Sequence, residues 1–179
     1  RIYVETAPSR FGHGLSMMKI GVKGRRLGRE EQRQAMLTFL VDTSGSMDKP
    51  DRIGLVKKAL TLLVNKMAPT DMVAIIQYNT HARLVLEFTP VSELKRILKA
   101  IDDLQCGGST NLEEAMLRAY EIAGRSFVPG GENRVLLLSD GVANMGNMAS
   151  DAILREVEKY RKQGITCSVF GFGMGTYDD

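Results

Sequence analysis

The chain has 179 residues, 44% of them hydrophobic, enough for one well-filled core and too few for two. Its formal charge of +3 arises from 24 basic and 21 acidic residues intermixed along the sequence, which excludes the single-sign field of a dedicated nucleic-acid binder. No apolar run approaches the ~20 residues needed to span a bilayer, so this segment is not expected to insert into a membrane. Cys106 and Cys167 are expected to be free thiols.

The chain opens in a strand-like stretch, RIYVET, and a second strand pattern follows in LSMMKIGVKG. The basic stretch KGRRLGREEQR, with Glu30 and Glu31 among Arg25, Arg26, Arg29 and Arg33, reads as a solvated linker. Residues 1–32 are therefore expected to form either the edge of a preceding domain or an extra strand added to the next one, and residues 33–179 a single domain. The sequence stops at GTYDD without a closing element, so it is expected to be a segment of a longer protein with neighbouring domains, truncated at the C-terminus of its own.

Beyond that linker, β-rich runs alternate with amphipathic helical patterns. The strands are MLTFLV (36–41), VAIIQY (73–78), ARLVLEF (82–88), RVLLLS (134–139) and ITCSVFGF (165–172). Three are nearly continuous apolar runs, as strands covered by helices on both faces require. The helical stripes are Ile53, Val56, Leu60, Leu63, Val64 and Met67; Leu94, Ile97, Leu98 and Ile101; Leu112, Ala115, Met116, Ala119 and Ile122; and Ile153, Leu154, Val157 and Tyr160. Pro69 follows the first helix, Ser92 stands at an N-cap position, and Gly164 stands where a left-handed C-cap belongs. Asn79 and Thr80 lie between two strand patterns, which predicts a hairpin and an antiparallel edge strand. The fold class is α/β: a doubly wound, mostly parallel sheet with one antiparallel edge strand.

In such sheets ligands gather at the carboxyl ends of the strands. Asp42, Ser44 and Ser46 alternate in LVDTSGSM at one of these ends, and Gly45 is expected to let the backbone bend between the serines. Asp140 ends a second strand in LLLSDG, and CGGSTN places Ser109, Thr110 and Asn111 before a helix. Alone, the last motif would read as an N-cap. Together, the three loops supply two carboxylates and several hydroxyls, a donor set suited to a small hard cation in octahedral geometry.

DTSGSM, GGSTN and LLLSDGVANMG, in this order within this alternation, resemble the von Willebrand factor type A (vWA) domain from about Arg33 onward. The family's Rossmann-like fold carries a metal-ion-dependent adhesion site, MIDAS. The resemblance implies Mg²⁺, with Mn²⁺ or Ca²⁺ as substitutes, held by Ser44, Ser46 and Thr110 directly and by Asp42 and Asp140 largely through water. It implies an adhesion or assembly module rather than an enzyme, whose partner is a protein supplying an Asp or Glu carboxylate. Tyr78, Asn111, Asn144 and Met145 are expected at the partner-binding rim. DGVANMG and GFGMGTYDD are most similar to bacterial secreted or envelope-attached members, which implies an extracytoplasmic location.

Two other readings compete. Mg²⁺ between aspartates also serves hydrolases and phosphoryl-transfer enzymes, although no GxxxxGK or HExxH occurs and His13 and His81 stand alone. The cation could instead be structural, as in a chelatase-type scaffold. Gly171, Gly173 and Gly175 mimic a dinucleotide loop, but no helix pattern follows them.

Overall fold

The strand Ala35–Asp42, β3, is apolar on both faces because both faces are covered. Leu37, Phe39 and Val41 enter one core, with Val56, Leu60 and Val64 of helix α1 (Ile53–Val64) and Ile97 and Ile101 of helix α2 (Leu94–Asp102). Leu40 enters the other, with Ala115, Ala119 and Tyr120 of helix α3 (Leu112–Arg125). The structure, a computed structural model, describes residues 2–8, 11–12, 14–22, 33–140 and 151–173.

The remaining strands are β4 (Met72–Tyr78), β5 (Ala82–Pro90), β6 (Glu132–Ser139) and β7 (Thr166–Gly171), and helix α4 spans Asp151–Gln163. The sheet order is β5-β4-β3-β6-β7. β3 is parallel to β4 and to β6, β7 is parallel to β6, and β5 alone is antiparallel, joined to β4 by the Asn79 turn. The direction of winding reverses between β3 and β6, which puts a crevice beyond the carboxyl ends of those two strands.

Helices α3 and α4 approach closely at a glycine. A Cβ at Gly124 would come within 2.8 Å of the Tyr160 ring, and Tyr160 stacks on Tyr120 with centroids 5.4 Å apart. Gly164 ends α4 at φ +100°, the left-handed cap expected of it. Ser92 is not the N-cap of α2. It lies in a 3-10 turn, Val91–Glu93, where its N–H donates to Pro69 O at 3.0 Å and the helix starts two residues later. Both cysteines are free.

The chain divides into two units, Arg1–Gln32 and Arg33–Asp179. In the first, β1 (Ile2–Pro8) and β2 (Ser16–Val22) pair antiparallel with each other and form a sheet of their own. Val4 opposite Ile20 and Thr6 opposite Met18 share one face, and the Lys19–Glu5 ion pair marks the other.

Phe39 is 0% exposed in the central strand, whereas Leu62 on α1 is 67% exposed. Phe39→Ala is expected to cost about 3–5 kcal/mol in urea unfolding, and Leu62→Ala to stay within about 0.5 kcal/mol of the parent.

Candidate metal centre

β3 ends on a buried carboxylate. Asp42 is 1% exposed, and its two oxygens are met by neutral donors: Oδ1 by the Ser44 N–H at 2.9 Å, Oδ2 by the Ser139 hydroxyl at 2.8 Å and more loosely by the Tyr78 hydroxyl at 3.4 Å. Charge-assisted bonds contribute about 1.5–3 kcal/mol each, enough for two or three of them to offset a desolvation penalty of several kcal/mol for one buried ion. Burial, reinforced by the neighbouring Asp42 charge, pushes the Tyr78 phenol far above its ordinary pKa, so it stays a donor.

From Asp42 the chain turns through a 3-10 helix, Gly45–Met47, anchored by the fully buried Met47. This turn brings Ser44 Oγ and Ser46 Oγ to 3.1 Å, and the Ser46 hydroxyl donates to Asp140 Oδ1 at 3.2 Å. Four of the expected residues, Asp42, Ser44, Ser46 and Asp140, therefore meet at the ends of β3 and β6. Gly45 needs no special backbone angle, and a Cβ there would sit at an ordinary 3.5 Å from Gly108 O. The bend does not require a glycine at that position.

The loop between α2 and α3 is pinned on two sides. Toward β3, the Gly107 N–H donates to Thr43 O at 2.8 Å and the Gly45 N–H to Gly108 O at 3.0 Å. Toward the β4–β5 hairpin, the Asn111 N–H donates to Asn79 O at 2.7 Å and the Ser109 N–H to Thr80 Oγ1 at 3.2 Å. Thr110 lies between these anchors, exposed, and its side chain makes no hydrogen bond among the described residues. It follows the two glycines tied to the β3 turn, and its hydroxyl is uncommitted.

One expected rim residue is placed differently. Tyr78 is 1% exposed, because the period-2 alternation of β4 turns it into the core beneath Asp42. It supports the centre from below and cannot face a partner. Asn111 caps α3: its Oδ1 accepts from the Glu114 N–H at 3.3 Å, and its Nδ2 donates to Glu114 Oε2 at 2.9 Å. Asn144 and Met145 lie outside the described residues. Sequence reasoning passed over Ser139 and Arg52, the latter an ion-pair partner of Asp140. The one available signal for Arg52 was its place as the last residue before a helix that follows a carboxylate-bearing turn.

Among the described residues no three His, Cys, Asp or Glu side chains gather as a ligand cluster. A cation here must be held mainly by hydroxyls, with at most two acids. The donor spacing fits. Oxygens on adjacent vertices around Mg²⁺ lie about 2.9 Å apart, given bonds of about 2.0–2.1 Å, and the contacts between the serines and from Ser46 to Asp140 measure 3.1 and 3.2 Å.

A family model described as the von Willebrand factor type A domain matches residues 37–179. The chain belongs to this family. The chain is 35% identical over 175 residues to the uncharacterized protein YfbK of Escherichia coli K12, covering 98% of this chain and 30% of that relative's length. Solved structures share the fold. BatB from Bacteroides thetaiotaomicron has a TM-score of 0.61 at 22% identity, covering 76% of this chain and 66% of that one. Manganese-loaded Plasmodium vivax TRAP protein has a TM-score of 0.63 at 18% identity, covering 98% and 62%. The proximal thread matrix protein 1 of the mussel byssus, with a zinc-occupied MIDAS motif, has a TM-score of 0.59 at 20% identity, covering 78% and 38%.

Gly108 of the vWA domain adopts φ +79°, and a Cβ on it would fall 2.6 Å from Thr80 Oγ1. Gly108→Ala is expected to lose at least about 1–2 kcal/mol from the left-handed backbone alone, read as a lower urea midpoint with an unchanged m-value.

Proposed function

We propose that this vWA domain is a metal-dependent protein-binding module, in which Asp42, Ser44, Ser46, Thr110 and Asp140 hold Mg²⁺. The observation that carries this reading is the continuous run of oxygen donors from Ser44 Oγ through Ser46 Oγ to Asp140 Oδ1, set beside the buried carboxylate of Asp42. A run of hydroxyls ending in a carboxylate can satisfy its own hydrogen bonds, so folding is expected not to depend on the cation.

A bound divalent cation supplies a Lewis-acidic position for one carboxylate oxygen from a partner's Asp or Glu. The residues of the chain tune that position. Ser44, Ser46 and Thr110 are neutral, so they leave positive character unquenched. Asp42 is already engaged by three donors, which weakens it as a direct ligand and suits it to orienting the Ser44 backbone and coordinated water. Because Gly107 and Gly108 are tied to the β3 turn, the Thr110 hydroxyl is presented without a large reorganisation. Asn144 and Met145, in the segment after Asp140, would add side-chain selectivity around the partner's acid.

The fold shared with manganese- and zinc-bearing proteins supports a divalent centre, and the family supports interaction over catalysis. An extracytoplasmic setting accords with the fold shared with an aerotolerance-related membrane protein of Bacteroides fragilis, and a longer protein with the 30% share of YfbK that the chain matches.

Calorimetric titration with Mg²⁺ or Mn²⁺ tests the centre. Asp42→Ala is expected to weaken binding by about 10–100-fold while far-UV circular dichroism is unchanged. Chelation by EDTA should release a protein partner captured in Mg²⁺ and lower the melting temperature only modestly. A partner retained equally in EDTA contradicts the module; a melting temperature that collapses on chelation points to a structural cation.

A further inference from the structure

Arg52 immediately precedes α1, and its guanidinium reaches into the centre. Its Nη1 donates to Ser46 O at 2.9 Å and also forms the ion pair with Asp140 Oδ2. The side chains of the pair are 17% and 12% exposed, so solvent screens the contact only partly.

The grip is one-ended. A single nitrogen serves both acceptors, where the strongest arginine–carboxylate pairs use two nitrogens on two oxygens. The buried Nε finds no acceptor among the described residues, and it packs near Gly173, where a Cβ would lie 3.3 Å away. Asp140 is shared as well: Oδ1 accepts from Ser46 at 3.2 Å, and Oδ2 belongs to Arg52.

Asp42 is surrounded by neutral donors and Asp140 by a cation, so Arg52 supplies the positive partner of the centre's second acid. Two effects of Arg52 on an incoming ion oppose each other. Orienting Asp140 would help, but Ser46 already bonds Oδ1 and supplies that orientation. Fixed positive charge would hinder, because like charges a few ångströms apart repel strongly in a partly desolvated crevice. With orientation already supplied by Ser46, the second effect is expected to dominate.

We propose that Arg52 is a built-in competitor for the divalent cation. It holds Asp140 while no ion is bound, lowers the affinity of the centre, and is drawn off the carboxylate on loading. This rests on the reading of the centre as a cation site, and the test separates the two.

The test is titration of the 179-residue chain with Mn²⁺ alone, by calorimetry and thermal unfolding, for the parent, Arg52→Met, Arg52→Lys and Asp42→Ala. R52M is expected to bind Mn²⁺ about tenfold or more tightly than the parent, to melt lower without the ion, and to gain more from it. R52K, which keeps the charge, should bind within about threefold of the parent. Equal or weaker binding by R52M, while the parent binds more tightly than Asp42→Ala, overturns the role of Arg52 alone. If the parent binds no better than Asp42→Ala, the cation reading falls and this inference falls with it. Should R52M fail to fold, the parent's Arg52 Nε–H resonance gives an independent reading. Mg²⁺ is expected to shift it and speed its exchange with water, and an unmoved resonance at saturating Mg²⁺ contradicts displacement.

Discussion

A carboxylate buried at the end of the central strand is the constraint around which the carboxyl edge of this sheet is organised. Asp42 is nearly inaccessible, and a charge there is tolerable only if donors from other elements reach it. They come from three places: the next turn through the Ser44 N–H, the neighbouring parallel strand through Ser139, and the strand on the other side through Tyr78. These donors tie the acid to the β3 turn, β4 and β6 at once.

The surrounding loops are tied to this edge largely through backbone bonds. The Thr43 N–H and hydroxyl both donate to Tyr78 O, Gly107 and Gly45 knit the α2–α3 loop to the β3 turn, and the Phe172 N–H donates to Ser139 O beyond β6. Backbone tethers leave the hydroxyls of Ser44, Ser46 and Thr110 available to the proposed centre. They also keep hard donors close together without a cation, a preorganisation that lowers the ordering cost of binding one.

Most of this fold was legible because buried parallel strands must be apolar on both faces. VAIIQY and RVLLLS could hardly be anything else, and the hairpin at Asn79 set β5 antiparallel as read. Local rules failed where a distant contact decides. Ser92 looks like a cap but lies in a 3-10 turn bonded to Pro69, and Gly45 looks like a hinge although Gly108 is the residue with the demanding backbone. Tyr78 was assigned to a rim because it ends a strand beside the site, while the alternation of β4 sends it inward. Arg52 reads as one more solvated charge in DKPDRI; only Asp140, 88 residues away, gives it a role.

Anomalous diffraction from crystals grown in Mn²⁺ asks directly whether oxygens from three separate loops converge on one divalent ion. The predicted result is a single strong peak between Ser44 Oγ and Ser46 Oγ, with Thr110 turned toward it and Asp42 and Asp140 alongside. A peak elsewhere, or Thr110 and Asp140 turned away from the serines with no ion between them, would contradict it and leave the fold as the only part standing.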